Sequence, residues 1–250
     1  MSRITDIAYG SDPLQTYDLY TPDSLSDRYR TIIHIHGGSL SGGTKKPHPY
    51  IDDLVLYGYV FADVNYRLLP AVTVNDILSD CAHAVKKIID HLPEEKKRGK
   101  IFLAGDSAGG YIVMMLLFRR DLLEKAGVPY DAIGGFLLDD PMFLPNFEEF
   151  SKKENYITDL LCDPACPISY IEKNAPYPPM YFLTYGKSIH GFPEFTHLAV
   201  ATLFRFGYGD RVKFSFFPDY PHCGNFEAPP IDGVNAYSHY SHKFYTSVKD

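Results

Sequence analysis

Residues 100–118 read KIFLAGDSAGGYIVMMLLF. The stretch starts with a short apolar run, Lys100 to Ala104, and passes through Gly105-Asp106-Ser107-Ala108-Gly109. It then enters an apolar run that lasts from Tyr111 to Ala126, with Gly127 beyond it. The first run predicts a central strand stopped by Gly105, and the second predicts a buried helix with Gly127 as its C-cap. Between them, the G-x-S-x-G spacing predicts a sharp strand-to-helix turn that lifts the Ser107 hydroxyl clear of the sheet. Glycines are needed on both sides because side chains there would collide with neighbouring elements. The helix start below supplies free N–H groups and the positive end of a dipole. Ser107 is therefore a candidate nucleophile. The blander reading is a serine that caps a helix after an ordinary Gly-rich turn.

Outward from this turn, β-branched apolar runs alternate with segments of helical period. Thr31 to His36, Val60 to Tyr66, Ile133 to Leu138, Met180 to Tyr185 and Val212 to Phe217 read as strands. Val74 to Leu92 reads as a helix, with Ile77, Cys81, Ala84, Val85 and Ile88 on one stripe. The alternation predicts a single α/β domain over residues 1–250, with a mainly parallel central sheet flanked by helices. Ile4 to Asp18 reads as antiparallel edge strands. The excursion over residues 141–179 has no strand of its own and is rich in Pro, Phe and Tyr, which predicts a lid or substrate-binding loop. Phe143, Phe147, Phe150, Tyr156 and Tyr170 are its candidate pocket lining.

The net charge is -7 and Lys and Arg are scattered, so nothing forms a phosphate-neutralising stripe and no nucleic-acid partner is expected. No apolar run reaches the ~18 residues of a membrane span, so no membrane association is expected. Met1 to Asp6 lacks the apolar core of a signal peptide. Cys162 and Cys166 lack a second Cys/His pair at zinc-like spacing, and no metal site is expected. With only Cys81 and Cys223 besides, a reducing, cytoplasmic setting is the default.

Two further pieces bear on Ser107. His36-Gly37-Gly38 ends the Thr31 strand, and glycine amides there can turn toward a developing oxyanion because no Cβ blocks the approach. Gly37, Gly38 and Ala108 are therefore the candidate oxyanion donors. His36 reads as a brace for that loop and His34 as a satisfied core histidine. The general base must come from beyond the last core strand, where Pro218 to Gly224 forms a turn-rich loop; His222 is the candidate.

Taken together, these residues resemble the α/β-hydrolase superfamily, and more narrowly its small esterase and arylformamidase-like members related to the hormone-sensitive-lipase group. The resemblance rests on His36-Gly37-Gly38, on Asn65 to Pro70 (NYRLLP) and on Gly105 to Gly110 (GDSAGG), and it spans nearly the whole chain. It implies an α/β-hydrolase fold and a Ser-His-acid triad acting on an ester or amide without a cofactor. One position departs from the pattern. In similar proteins the triad Asp lies three residues after the position of Gly186, and here that residue is Ile189, within a run that has no carboxylate. A substitute stands in Leu138-Asp139-Asp140-Pro141, where pancreatic-type lipases of similar fold place their acid. Asp140 is the candidate, Asp139 the fallback, and Glu194 and Asp219 are further alternatives. Cleavage of a small-molecule carboxylic ester with a small or aromatic part is the leading expectation, with amidase or arylformamidase activity as the alternative. A catalytically weakened binding protein and a non-hydrolytic lyase or cyclase stay open because of Ile189.

Overall fold

The computed structural model describes residues 1–24, 30–92, 101–145, 161 and 163–249. Strands form where the apolar runs lie: β1 (Ser2–Ala8), β2 (Thr16–Thr21), β3 (Thr31–Ile35), β4 (Val60–Val64), β5 (Ile101–Asp106), β6 (Ile133–Asp139), β7 (Met180–Lys187) and β8 (Val212–Pro221). They build one eight-stranded sheet in the order β1-β2-β4-β3-β5-β6-β7-β8. β1 and β2 are antiparallel edge strands, and all the strands from β4 onward in that order run parallel.

Parallel strands buried on both faces read as continuous apolar runs, and β3, β4 and β6 have every residue buried. Side chains nevertheless alternate between two cores. Ile33, Ile35, Leu103 and Leu138 point to the face covered by α2 (Val74–His91), α3 (Ala108–Phe118) and α5 (Phe192–Arg205). Ile32, Phe61, Phe102 and Leu137 point to the face covered by α1 (Pro49–Leu56) and α6 (Ala236–Ser247). The α2 stripe is buried as expected, and Thr73 starts the helix with a capping box shared with Asp76.

Of the boundaries that differ from the sequence reading, two bear on the site. The helix after Ser107 ends at Phe118; Arg119 adopts φ -100 and ψ 72, and a short α4 (Arg120–Lys125) follows. Every residue of α3 is buried, and the Arg119-Arg120 pair has to reach water, which a straight continuation through the core would deny it. Gly127 still closes the segment, at φ +79. β8 runs past Phe217 to Pro221 because its pairing with β7 resumes at Lys187 after an irregularity, and this carries His222 to the carboxyl edge of the sheet.

Among the described residues no helix is long and apolar enough to cross a membrane. Of the 141–179 excursion, Phe147, Phe150 and Tyr156 lie outside the described residues, as does Cys162. Met142, Phe143 and Leu144 are buried, and Phe143 packs on Phe195 with ring centroids 5.8 Å apart. Phe143 is thus core filling rather than pocket lining: it leaves the end of β6 pointing toward α5.

Candidate active site

Four strand ends meet at the carboxyl edge of the sheet, those of β3, β5, β6 and β8, and each delivers one part of the site. Ser107 sits between β5 and α3 with φ 52 and ψ -115, a conformation that costs a non-glycine residue energy and persists only where the surroundings over-determine it. The surroundings here are explicit. Ser107 N–H donates to the Asp139 carbonyl at 2.9 Å, and its own carbonyl accepts from Tyr111 and Met142, each at 3.0 Å. A Cβ on Gly109 would lie 1.9 Å from the Ile35 carbonyl oxygen, so the close approach of α3 to β3 requires glycine there.

The oxyanion loop departs partly from expectation. Gly37 N–H donates to Asp106 Oδ2 at 3.1 Å, so this amide already has an acceptor. Gly38 has φ +115, and Ala108, the first residue of α3, has an N–H with no intrahelical partner. Those two amides remain the candidate donors; Gly37 instead fastens the loop to Asp106, the residue before Ser107. His36 braces the same loop. Its ring stacks on Tyr66 at 4.4 Å, its Nδ1 donates to the Gly37 carbonyl at 2.6 Å, and the Tyr66 hydroxyl donates to the His36 carbonyl at 2.9 Å.

His34 is more than a satisfied core residue. Its side chain is 2% exposed, with Asp63 Oδ1 2.9 Å from Nδ1 and Asp106 Oδ1 3.2 Å from Nε2. Burial pulls the imidazole toward its neutral form, but the two carboxylates outweigh it and push its pKa up to about 10. Asp106 answers in kind: burial raises it, and the pairing with His34 holds it below the usual carboxylate range. A charged histidine thus joins β4, β3 and β5 beneath the loop that carries Gly37.

His222 follows β8 directly. Its Nδ1 lies 2.5 Å from Asp140 Oδ2, and the Asp140 side chain is fully buried while that of His222 is 27% exposed. A carboxylate only accepts, so in the neutral ring Nδ1 carries the proton and Nε2 the lone pair. Asp140 is held firmly. Its φ is +47, its N–H donates to the Leu183 carbonyl at 2.9 Å, and Thr184 Oγ1 donates to its Oδ1 at 3.0 Å. The Ser188 hydroxyl donates to Asp140 Oδ2 and stands 3.2 Å from His222 Nδ1. Asp139, by contrast, turns to the opposite face, where the Tyr185 hydroxyl donates to its Oδ1 at 2.6 Å. Glu194 caps α5 by accepting from Gly191 N–H at 2.9 Å, and Asp219 is exposed beside Lys187 at 3.7 Å. None of these three alternatives is in contact with His222.

Sequence reasoning missed Thr184 and Ser188; two hydroxyls at the end of β7 were the available signal, four residues apart. Among the described residues no hydrogen bond joins the Ser107 hydroxyl to His222. Next to His222, the Cys223 thiol donates at 3.9 Å to the Asp139 carbonyl that also accepts from Ser107 N–H. A cavity of about 390 Å³ opens beside the first turns of α3, lined by Val74, Leu78, Tyr111, Met115, Arg119 and Tyr170. Neither Ser107 nor His222 is among its lining residues.

Comparison with known proteins agrees with this architecture. Residues 17–132 match the family model described as BD-FAE. A protein of Arabidopsis thaliana named "Probable isoprenylcysteine alpha-carbonyl methylesterase ICMEL2" is 27% identical over 123 residues, 48% of this chain and 29% of that protein. One of Mycobacterium tuberculosis named "Probable carboxylic ester hydrolase LipM" is 26% identical over 206 residues, 73% of this chain and 47% of its own length. The matched region therefore spans less than half of either relative. The crystal structure of an inhibited esterase B from Lactobacillus rhamnosis superposes with a TM-score of 0.73 at 20% identity, covering 99% of this chain and 87% of that one. The chain thus has the α/β-hydrolase fold and is similar in sequence to carboxylic ester hydrolases.

Proposed function

We propose that this chain is a serine hydrolase that cleaves small carboxylic esters through an acyl-enzyme intermediate, with Ser107 as nucleophile, His222 as general base and Asp140 as the orienting acid. The contact of His222 Nδ1 with Asp140 Oδ2 at 2.5 Å carries the reading. It supplies the acid that the run around Ile189 lacks, and with it the motive for a binding-only or non-hydrolytic reading weakens.

In this mechanism Ser107 Oγ attacks the carbonyl carbon as His222 Nε2 takes the hydroxyl proton. Gly38 and Ala108 N–H groups donate to the resulting oxyanion, and Asp140 stabilises the imidazolium. His222 then returns the proton to the departing alkoxide, and water repeats the sequence on the acyl-enzyme. The names of the relatives, a methylesterase and a carboxylic ester hydrolase, favour esters over amides. The half-exposed Cys223 and the buried Cys81 and Cys166 are free thiols, which fits a reducing, cytoplasmic setting.

Hydrolysis of p-nitrophenyl acetate tests the reading. Wild type should turn over and take a fluorophosphonate label, and Ser107→Ala should lose the label and on the order of 10⁴ or more in kcat. Undiminished turnover in Ser107→Ala would remove the serine from the mechanism.

A further inference from the structure

Cys223 takes no part in acyl transfer, yet it lies against the imidazole that does. Its Sγ is 3.7 Å from His222 Nε2, while Asp140 holds Nδ1 from the other side at 2.5 Å. Thiol, imidazole and carboxylate ligand atoms all fall within 4.8 Å of one another. A tetrahedral zinc ion with Zn–S of about 2.3 Å and Zn–N of about 2.0–2.1 Å sets its sulfur and nitrogen ligands roughly 3.6 Å apart. The thiol and Nε2 already lie at about that separation, 3.7 Å.

The remaining conditions are also met. Nε2 holds the lone pair because Nδ1 faces a carboxylate, and a carboxylate on the far nitrogen of a metal-bound histidine raises the basicity of the ligand. Cys223 has φ 52, which fixes the direction in which its side chain leaves the loop. The exposed part of the His222 side chain leaves an entry path.

We propose that Cys223 Sγ and His222 Nε2 chelate a thiophilic divalent cation, Zn²⁺ in type, with Asp140 as the outer carboxylate, and that occupancy switches off the Ser107 chemistry. On binding, Cys223 S–H releases its proton to solvent as the S–metal bond forms, and Nε2 donates its lone pair. No electron changes hands. Water completes the coordination. The lone pair that would accept the Ser107 proton is then engaged. The off-switch rests on the serine-hydrolase reading; the binding of the ion does not.

Cobalt provides a direct probe. Titrating the reduced full chain with Co²⁺ should produce thiolate-to-cobalt charge-transfer absorption in the near ultraviolet. The band should be absent from Cys223→Ser and be displaced by Zn²⁺. In p-nitrophenyl acetate assays, Zn²⁺ should inhibit wild type at concentrations at least tenfold lower than Cys223→Ser, and EDTA should restore the rate. A cobalt band that is equal in both proteins, or absent from both, overturns the site. A Cys223-dependent band with equal zinc sensitivity of the two proteins overturns the off-switch. If neither protein hydrolyses the ester, the hydrolase reading fails and the cobalt spectra still decide the metal site.

Discussion

Asp139 and Asp140 are adjacent in sequence and opposite in environment. The β6 backbone turns to positive φ at Asp140, which sends its carboxylate to His222 and leaves Asp139 facing Tyr185. In kinetic comparison Asp140→Asn should lower kcat on the order of 10⁴-fold, the usual loss when the orienting acid of a serine triad becomes an amide. Ser188→Ala should lower it about tenfold, the worth of one hydrogen bond to a charged group, and Ser188→Thr should keep most of the rate. Asp139→Asn should leave kcat within a few-fold of wild type. Its effect is on stability. Burial holds Asp139 well above the usual carboxylate range against the pull of the Tyr185 hydroxyl, and one of its oxygens has no partner. The folded chain therefore keeps a proton that the unfolded chain releases above a pH of about 3.9, so stability falls as pH rises from there through the folded value. Thermal melts should show Asp139→Asn gaining on wild type between pH 4 and pH 8.

At the scale of elements, the three central strands are tied by more than their ladders. His34 on β3 stands between Asp63 on β4 and Asp106 on β5, and Asp106 in turn accepts from Gly37. Breaking such a buried pair leaves charges without partners and costs about 3 kcal/mol or more. Since the folded pKa of His34 is raised to about 10, its contribution is fully present below its ordinary value near 6.5 and is lost as pH rises through 10. Denaturation of His34→Gln against wild type should show the largest deficit near pH 6, shrinking toward pH 10. This ionic link was hidden in the sequence because His34 and Asp63 are 29 residues apart and only the strand register places them side by side. The strands themselves were legible, since buried parallel strands are continuous apolar runs. The break at Arg119 was not: the apolar run carries no Pro or Gly there, and the cause is the edge of the core.

For the whole molecule, order along the chain was informative. The Gly37-Gly38 loop after β3, the serine after β5 and the histidine after β8 each follow a strand, and parallel strands bring all such ends to one edge. The proposed acid was only partly readable. Two aspartates sit in sequence at the right strand end, and what separates them is a single backbone torsion, which no residue type at that position announces.

Taking the acid from β6 divides the machinery unevenly between the middle and the rim of the sheet. Ser107 and Asp140 ride on neighbouring inner strands sewn together by the hydrogen bond from Ser107 N–H to the Asp139 carbonyl, whereas His222, the proposed base, hangs from β8, which among the described residues pairs on one side only. Rims fray before centres. In a gentle urea ramp, ester turnover should therefore vanish ahead of the far-ultraviolet dichroism and return on dilution, because the imidazole leaves first while its two companions stay in register.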